Sequence, residues 1–146
     1  MRIIPCCLAI LLGSGAAWAA ERPVQMKDLP SPVQATVRAE TAGATVKGIS
    51  RETEHGSTLY EVETIMNGLT RDILIDPSGA VVEVEEQIAP GAAPLPVQQA
   101  LSQMGQVLKL ERVNARGVTT FEAHVQQASK KRSVTVDADG QVVAPK

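Results

Sequence analysis

Two stretches of the chain, GSTLYEV at 56–62 and RDILIDPSGAVV at 71–82, occur again as GVTTFEA at 117–123 and RSVTVDADGQVV at 132–143. Every matched pair of residues is 61 positions apart. A fixed period of this length is the mark of an internal structural repeat. The sequence therefore predicts that one structural unit is built twice.

The repeat extends upstream, where PVQA at 32–35 resembles PVQQ at 96–99 with an offset of 64 positions. The longer offset makes the second copy three residues shorter, a change that connecting loops tolerate. In the first copy, Ser31 suits the N-cap of a helix and Pro32 its first position. In the second copy, Pro96 opens the equivalent helix.

Alternating side chains predict strands after each helix. Tyr60, Val62 and Thr64 share one face of such a strand, while Glu61 and Glu63 take the other. The predicted strands cover 46–53, 58–66, 71–75 and 81–86 in the first copy, and 107–113, 119–126, 132–136 and 141–143 in the second. We therefore predict an α+β fold, a tandem repeat of a short helix followed by a four-stranded antiparallel sheet.

Turn residues separate the predicted strands. Asn67 and Gly68 form a strong two-residue hairpin signal. Pro77 and Gly79 stand where a type I turn followed by a left-handed residue needs them. The second copy lacks the Asn-Gly pair, so we expect a looser and more mobile loop over 127–131.

Tyr60 and Phe121 are the only aromatic residues after position 20, and they are equivalent in the two copies. Buried aromatic side chains remove roughly 150–250 Å² each from water. We predict that each ring anchors the core of its copy. The alternative is a ring held out for a partner.

Residues 1–20 have the features of a secretory signal peptide. Arg2 precedes an apolar run at 3–12, and AWA at 17–19 supplies small residues before a cleavage site. Cys6 and Cys7 would leave with this leader. The remaining chain has no cysteine for a disulfide, a thiol nucleophile or a thiolate metal site. The sequence predicts a periplasmic or secreted protein.

The rest of the chain is predicted to divide into a mobile lead-in at 21–28, a first repeat at 29–86, a linker at 87–94 and a second repeat at 95–146. A unit of about 60 residues is marginal alone, so the copies should pack together. Whether they share one sheet is left open.

Charge is unevenly distributed between the two halves. Residues 21–90 carry a net charge of −6 and residues 91–146 a net charge of +3. This asymmetry either steers a polar partner or is ordinary solvated surface charge. There is no basic cluster with interleaved aromatics, which disfavours nucleic-acid binding.

The chain resembles the PepSY-like proteins, exported bacterial proteins that are also described as β-lactamase-inhibitor-like. The residues that carry the likeness are Leu29, Pro30, Val33, Gly56, Tyr60, Glu61, Val62, Asp76 and Gly79, and in the second copy Leu95, Pro96, Gly117, Phe121, Glu122, Asp137 and Gly140. The likeness covers about 28–144. It implies tandem helix-plus-sheet units in the envelope and an association with peptidase propeptides and enzyme inhibition, and it brings no catalytic residues.

Catalytic and calcium-loop patterns are lacking. His55 falls in a predicted turn and His124 on an outward strand position, and neither Gly-x-Ser-x-Gly nor His-Glu-x-x-His occurs. Asp137, Asp139 and Gly140 resemble part of a calcium loop, but Lys146 stands where that loop needs a glutamate. We predict no enzyme, no catalytic residues, no metal site and no cofactor.

We therefore predict a non-catalytic exported module that binds, and in one version inhibits, another envelope protein such as a peptidase. The sequence does not identify its binding residues. A sheet face bearing Glu61 and Glu63 or a hairpin tip bearing Lys130 and Lys131 could form the contact.

Two other functions stay open. The first is a periplasmic protein that binds a small ligand or a divalent cation, with Glu83 and Glu85 joined by Glu61 and Glu63. The alternative interpretation of these glutamates is a solvated strand face that binds no ligand, with Glu86 on the opposite side of the strand. The second is a structural envelope protein without a dedicated site. No integral membrane segment is predicted beyond the leader.

Overall fold

The computed structural model describes residues 21–54 and 56–143. The predicted leader, His55 and the last three residues lie outside the described residues, so the signal peptide and the turn at His55 remain predictions. Within the described chain, no helix has the length and apolar character needed to cross a membrane.

The described chain contains two α-helices and nine strands joined in one antiparallel sheet. The helices are α1 (Ser31–Glu40) and α2 (Leu95–Ser102), and short 3₁₀ turns precede them at Met26–Asp28 and Pro90–Ala92. The strands are β1 (Arg22–Pro23), β2 (Thr45–Glu54), β3 (Ser57–Met66), β4 (Leu69–Ile75), β5 (Val81–Gln87), β6 (Gln106–Ala115), β7 (Val118–Gln127), β8 (Lys130–Asp137) and β9 (Val142–Val143).

Each strand pairs with the next in sequence, from β1 to β9. The predicted α+β fold is confirmed, with each helix followed by four antiparallel strands. The pairing of β5 with β6 answers the question that the sequence left open. Both copies belong to one continuous sheet.

Both helices pack on the same face of the sheet. Side chains of directly paired residues share a face. Val33 and Val37 of α1 pack on a cluster with Ile73. Val97 and Leu101 of α2 pack on a second cluster with residues of β6, β7 and β8. The register across β5 and β6 places both clusters on one side. We call this side the helix face and the opposite side the open face.

The two copies repeat the same local contacts. The Asp76 Oδ1 atom accepts hydrogen bonds from the backbone N–H groups two and four residues later, at 2.8 and 3.1 Å. Asp137 Oδ1 does the same at 3.0 and 2.9 Å. Gln34 Nε2 donates to the carbonyl five residues before it at 3.0 Å, and Gln98 Nε2 to its equivalent at 2.8 Å.

The predicted helix starts were each wrong by one position. Ser31 is not an N-cap but the first residue of α1, and α2 begins one residue before Pro96. The N-caps are Pro30 and Pro94, with φ near −55° and extended ψ. The carbonyl of each proline accepts the first helical hydrogen bond, at 3.0 Å, and neither N-cap residue makes a side-chain cap hydrogen bond.

The loop expected over 127–131 is also wrong. β7 continues to Gln127 and β8 begins at Lys130, so a two-residue turn joins them. Ala128 takes a positive φ of 54° in this turn, and its carbonyl accepts a hydrogen bond from the side chain of Gln126 at 3.1 Å. The strand ladder, continued to the last pair, outweighs the cost of a positive φ at an alanine.

Candidate functional site

Carboxylates are concentrated on the open face. Glu63 of β3 pairs with Asp72 of β4, and Asp72 pairs with Glu85 of β5, so one acidic row crosses three adjacent strands. Among the described side chains, nine carboxylates have register positions on this face, namely Glu52, Glu61, Glu63, Asp72, Glu83, Glu85, Glu111, Glu122 and Asp137. This confirms the predicted outward direction of Glu61 and Glu63.

The centre of the open face is buried although no described helix covers it. Val113 and Ala115 are each 7% exposed, and Glu111 is 6% exposed. Side chains of neighbouring strands must therefore cover these residues, as the twist of a large sheet allows. The acidic groups surround an apolar centre instead of standing separately in water.

This environment shifts the acidity of three carboxyl groups. Burial, followed by repulsion from Glu83 and Glu111, raises the pKa of Glu85 to about 8. Burial, followed by repulsion from Glu52, raises the pKa of Glu61 to about 7. Burial is also the first cause of the raised pKa of Asp72. At neutral pH the Glu85 carboxyl therefore keeps its proton most of the time.

Glu86 has the opposite environment, because it lies on the helix face. Arg112 and Arg71 bond its carboxylate and hold its pKa below the usual value. Arg71 also donates hydrogen bonds to the Glu40 carboxylate at 2.8 Å and to the Glu40 carbonyl at 3.0 Å. These bonds connect the end of α1 to the β5–β6 pair, where the two copies meet and which we call the seam. The predicted separation of Glu86 from Glu83 and Glu85 is confirmed.

Among residues 21–54 and 56–143, two groups of three carboxylates have oxygen atoms within 4.8 Å of one another. One group is Asp72, Glu85 and Glu111, and the other is Glu21, Glu61 and Glu63. The set suggested by the sequence, Glu61 and Glu63 with Glu83 and Glu85, is therefore not brought together as one group.

Asp72 and Glu111 were missed by the sequence reasoning. Asp72 pairs with Glu85 across the predicted hairpin of β4 and β5, whereas Glu111 joins them only because β5 pairs with β6. The alternation along their strands could have placed both on an outward face. It carries no information on which strand lies beside which. Only the register joins them to Glu85 in one group.

Positive groups on the open face are few. Lys109 Nζ lies 2.7 Å from the Glu111 carboxylate. His124, which pairs with Lys109 across β6 and β7, is exposed as predicted. Lys130 and Lys131 lie exposed at the start of β8, in the strand and not in a loop. The Lys109 ammonium therefore supplies the positive charge beside Glu111, the buried member of the group formed by Asp72, Glu85 and Glu111.

The free energy of unfolding should fall as pH rises from about 4.5 to about 8. Over this range the folded chain holds a proton on Glu85 that the unfolded chain has released, so stability decreases with pH. After allowance for solvent screening, we expect a loss of about 1–2 kcal/mol. Urea denaturation at both ends of the range measures it. Glu85→Gln should reduce the slope, with the raised pKa values of Glu61 and Asp72 accounting for the remainder, and Asp139→Asn is the matched exposed control. Equal slopes in the two variants would contradict the assignment.

No known family model matches the sequence. A search of curated proteins also finds no match. Similarity is found with solved structures instead. A Bacteroides eggerthii protein described as a "putative periplasmic protein" is 18% identical with a TM-score of 0.64, covering 80% of this chain and 86% of that chain. A DUF2874 family protein from Bacteroides uniformis is 18% identical with a TM-score of 0.63, covering 79% and 86%.

A BLIP-like protein from Bacteroides fragilis is also similar, with 17% identity and a TM-score of 0.59 over 81% of this chain and 85% of that chain. None of the three is described as PepSY, so that part of the resemblance remains a prediction. At these identities the likeness concerns the fold alone. The chain has the same fold as these BLIP-like and DUF2874 proteins.

Proposed function

We propose that this chain is a non-catalytic binding module of the bacterial envelope, which holds another protein on the open face of its sheet. The observation that carries the proposal is the placement of both helices on one face, which leaves the other face without a covering element among the described residues. An inhibitory role, for example toward a peptidase, is the finer form of the same proposal.

The open face is large enough for a specific interface. β1 and β9 are two residues long, so the area is set by the seven longer strands, which at a spacing of about 4.8 Å span roughly 29 Å, while seven residues along a strand span roughly 23 Å. The product, roughly 670 Å², lies within the range of about 600–1,000 Å² per partner found in stable complexes. Val113 and Ala115 at its centre are already buried in the free chain, so a partner would contact the charged groups around them and the exposed Val118.

The fold comparison supports binding rather than catalysis. The Bacteroides fragilis neighbour is BLIP-like, which suggests a binding or inhibitor-like protein. The predicted signal peptide and the periplasmic description of the Bacteroides eggerthii neighbour support an envelope location.

A divalent-cation binder is a weaker candidate. Asp72, Glu85 and Glu111 offer oxygen ligands, which suit calcium. However, the Lys109 ammonium already lies 2.7 Å from Glu111, and Glu85 keeps a proton at neutral pH. A cation would have to displace both, so the structure favours protein binding over cation binding.

Site-directed photo-cross-linking tests the proposal. The chain after residue 20 has no cysteine, so Thr120→Cys places one benzophenone label on the open face. Gln99→Cys places the same label on the exposed side of α2 as a control. We expect one dominant partner from envelope extract with the label at Thr120 and not with the label at Gln99. The same set of cross-linked proteins from both positions would contradict the proposal.

A further inference from the structure

Two carboxylates of the acidic row, Glu63 and Asp72, are not a requirement of the fold. Positions 61 apart occupy equivalent places in the two copies, and these two have non-acidic equivalents in the second copy, whereas Glu61 is matched by Glu122. His124 stands where Glu63 stands, and Ser133 stands where Asp72 stands. The second copy forms the same strand ladder with His124 and Ser133 at these positions. Strand pairing therefore does not explain why Glu63 and Asp72 are acidic in the first copy.

The row also opposes stability. Glu63 and Asp72 are directly paired on adjacent strands, where like charges repel one another, and Glu85 beside Asp72 keeps its proton because burial and its acidic neighbours oppose ionisation. On the helix face, by contrast, Arg71 and Arg112 bond Glu86 from both sides. The acidic row therefore keeps an unbalanced negative potential facing the surface that no helix covers.

The chain itself shows how a positive side chain fits between these groups. Lys109 reaches over the open face and brings its ammonium 2.7 Å from Glu111, which is 6% exposed. It also lowers the energy of the ionised Asp72 carboxylate, although burial and Glu63 outweigh it. An incoming lysine or arginine would meet open-face carboxylates at Glu63 on β3 and at Glu122 on β7.

Extending the proposed function, we infer that the partner held on the open face presents a basic segment, whose lysine and arginine side chains enter between the open-face carboxylates. Complementary charge of this kind sets the choice of partner and speeds association, and salt weakens it. The inferred binding of a basic segment involves the open face as a whole, with its carboxylates placed around an apolar centre. A bare cation would fill only one part of it.

A peptide titration tests the chemistry of the partner. The probe is an alternating lysine–threonine peptide of about 16 residues, long enough to cross the sheet. Its glutamate–threonine counterpart is the negative control. We expect one-to-one binding of the lysine peptide alone, and its loss in about 0.5 M NaCl, where charges more than a few ångströms apart are screened.

Two matched double variants decide where the peptide binds. Glu63→Gln with Glu122→Gln removes two charges from the open face, whereas Asp28→Asn with Asp139→Asn removes two exposed charges elsewhere. The first should weaken binding about tenfold and the second hardly at all. Equal weakening would reduce the effect to net charge, and no binding by the native chain would also overturn the inference. Far-ultraviolet circular dichroism confirms that both variants are folded.

The inference and the proposed function can fail separately. A partner cross-linked at Thr120 that stays bound in about 0.5 M NaCl and offers no basic surface would keep the binding function and reject the basic segment. A second copy of this chain captured at Thr120 would likewise keep the binding function and reject the basic segment. A lysine peptide that binds, with no partner cross-linked at Thr120, would support the charge argument and reject the envelope partner.

Discussion

Replacing Phe121 with alanine is expected to lower the free energy of unfolding by about 3–5 kcal/mol. The ring is 4% exposed and lies in the cluster beneath α2, beside Leu110 and Val136. Each of these neighbours is buried, so the cavity left by the ring could not collapse easily. Urea denaturation monitored by circular dichroism gives the change directly.

Tyr60→Ala is the matched comparison, because the repeat makes the two rings equivalent. Tyr60 is only half-buried and packs against the edge of the cluster beneath α1. Since less of its ring leaves water on folding, we expect a smaller loss of about 1–2 kcal/mol. A loss below about 1 kcal/mol for Phe121→Ala would show that the core of the second copy is not anchored by its ring. Equal losses for both variants would show that the different burial of the two rings does not set their contributions.

The sequence predicted the fold class because the repeat and the alternation of side chains can both be recognised along the chain without knowledge of which strands pair. The 61-residue offset located equivalent strands, and the alternation of Glu61 and Glu63 with Val62 assigned the two faces. The equal treatment of Tyr60 and Phe121 went too far. A repeat fixes the position of a ring, but its burial depends on what packs over it.

The candidate surface needed the structure for a different reason. Glu111 meets Asp72 and Glu85 only because β5 pairs with β6, and nothing in the alternation of a strand identifies the neighbouring strand. The same limit applies to their acidity. The pKa of Glu85 rises first because the carboxyl group is buried and then because Glu83 and Glu111 repel it, and neither the burial nor the distance to Glu111 can be obtained from the sequence.

Gly140→Ala is expected to cost about 2–4 kcal/mol, the sum of a left-handed backbone penalty and a steric clash. Gly140 has a φ of +80°, and an added Cβ would lie 2.5 Å from the carbonyl oxygen of Pro96 at the start of α2. The first copy has the same arrangement. A Cβ on Gly79 would lie 2.9 Å from the Pro32 carbonyl oxygen, and Thr36 Oγ1 donates to the Gly79 carbonyl at 2.6 Å.

Gly117→Ala separates the two parts of this cost. Gly117 has nearly the same φ, +82°, but an added Cβ would meet nothing within 4 Å. It should therefore lose only the backbone part, about 1–2 kcal/mol. The difference between the variants in urea denaturation measures the contact between hairpin and helix. If the difference is close to zero, the hairpin does not hold the helix. If Gly140→Ala loses more, the contact between the Asp-x-x-Gly turn and the helix stabilises the fold. Both copies have this turn, which then fixes each helix to the helix face and leaves the open face uncovered.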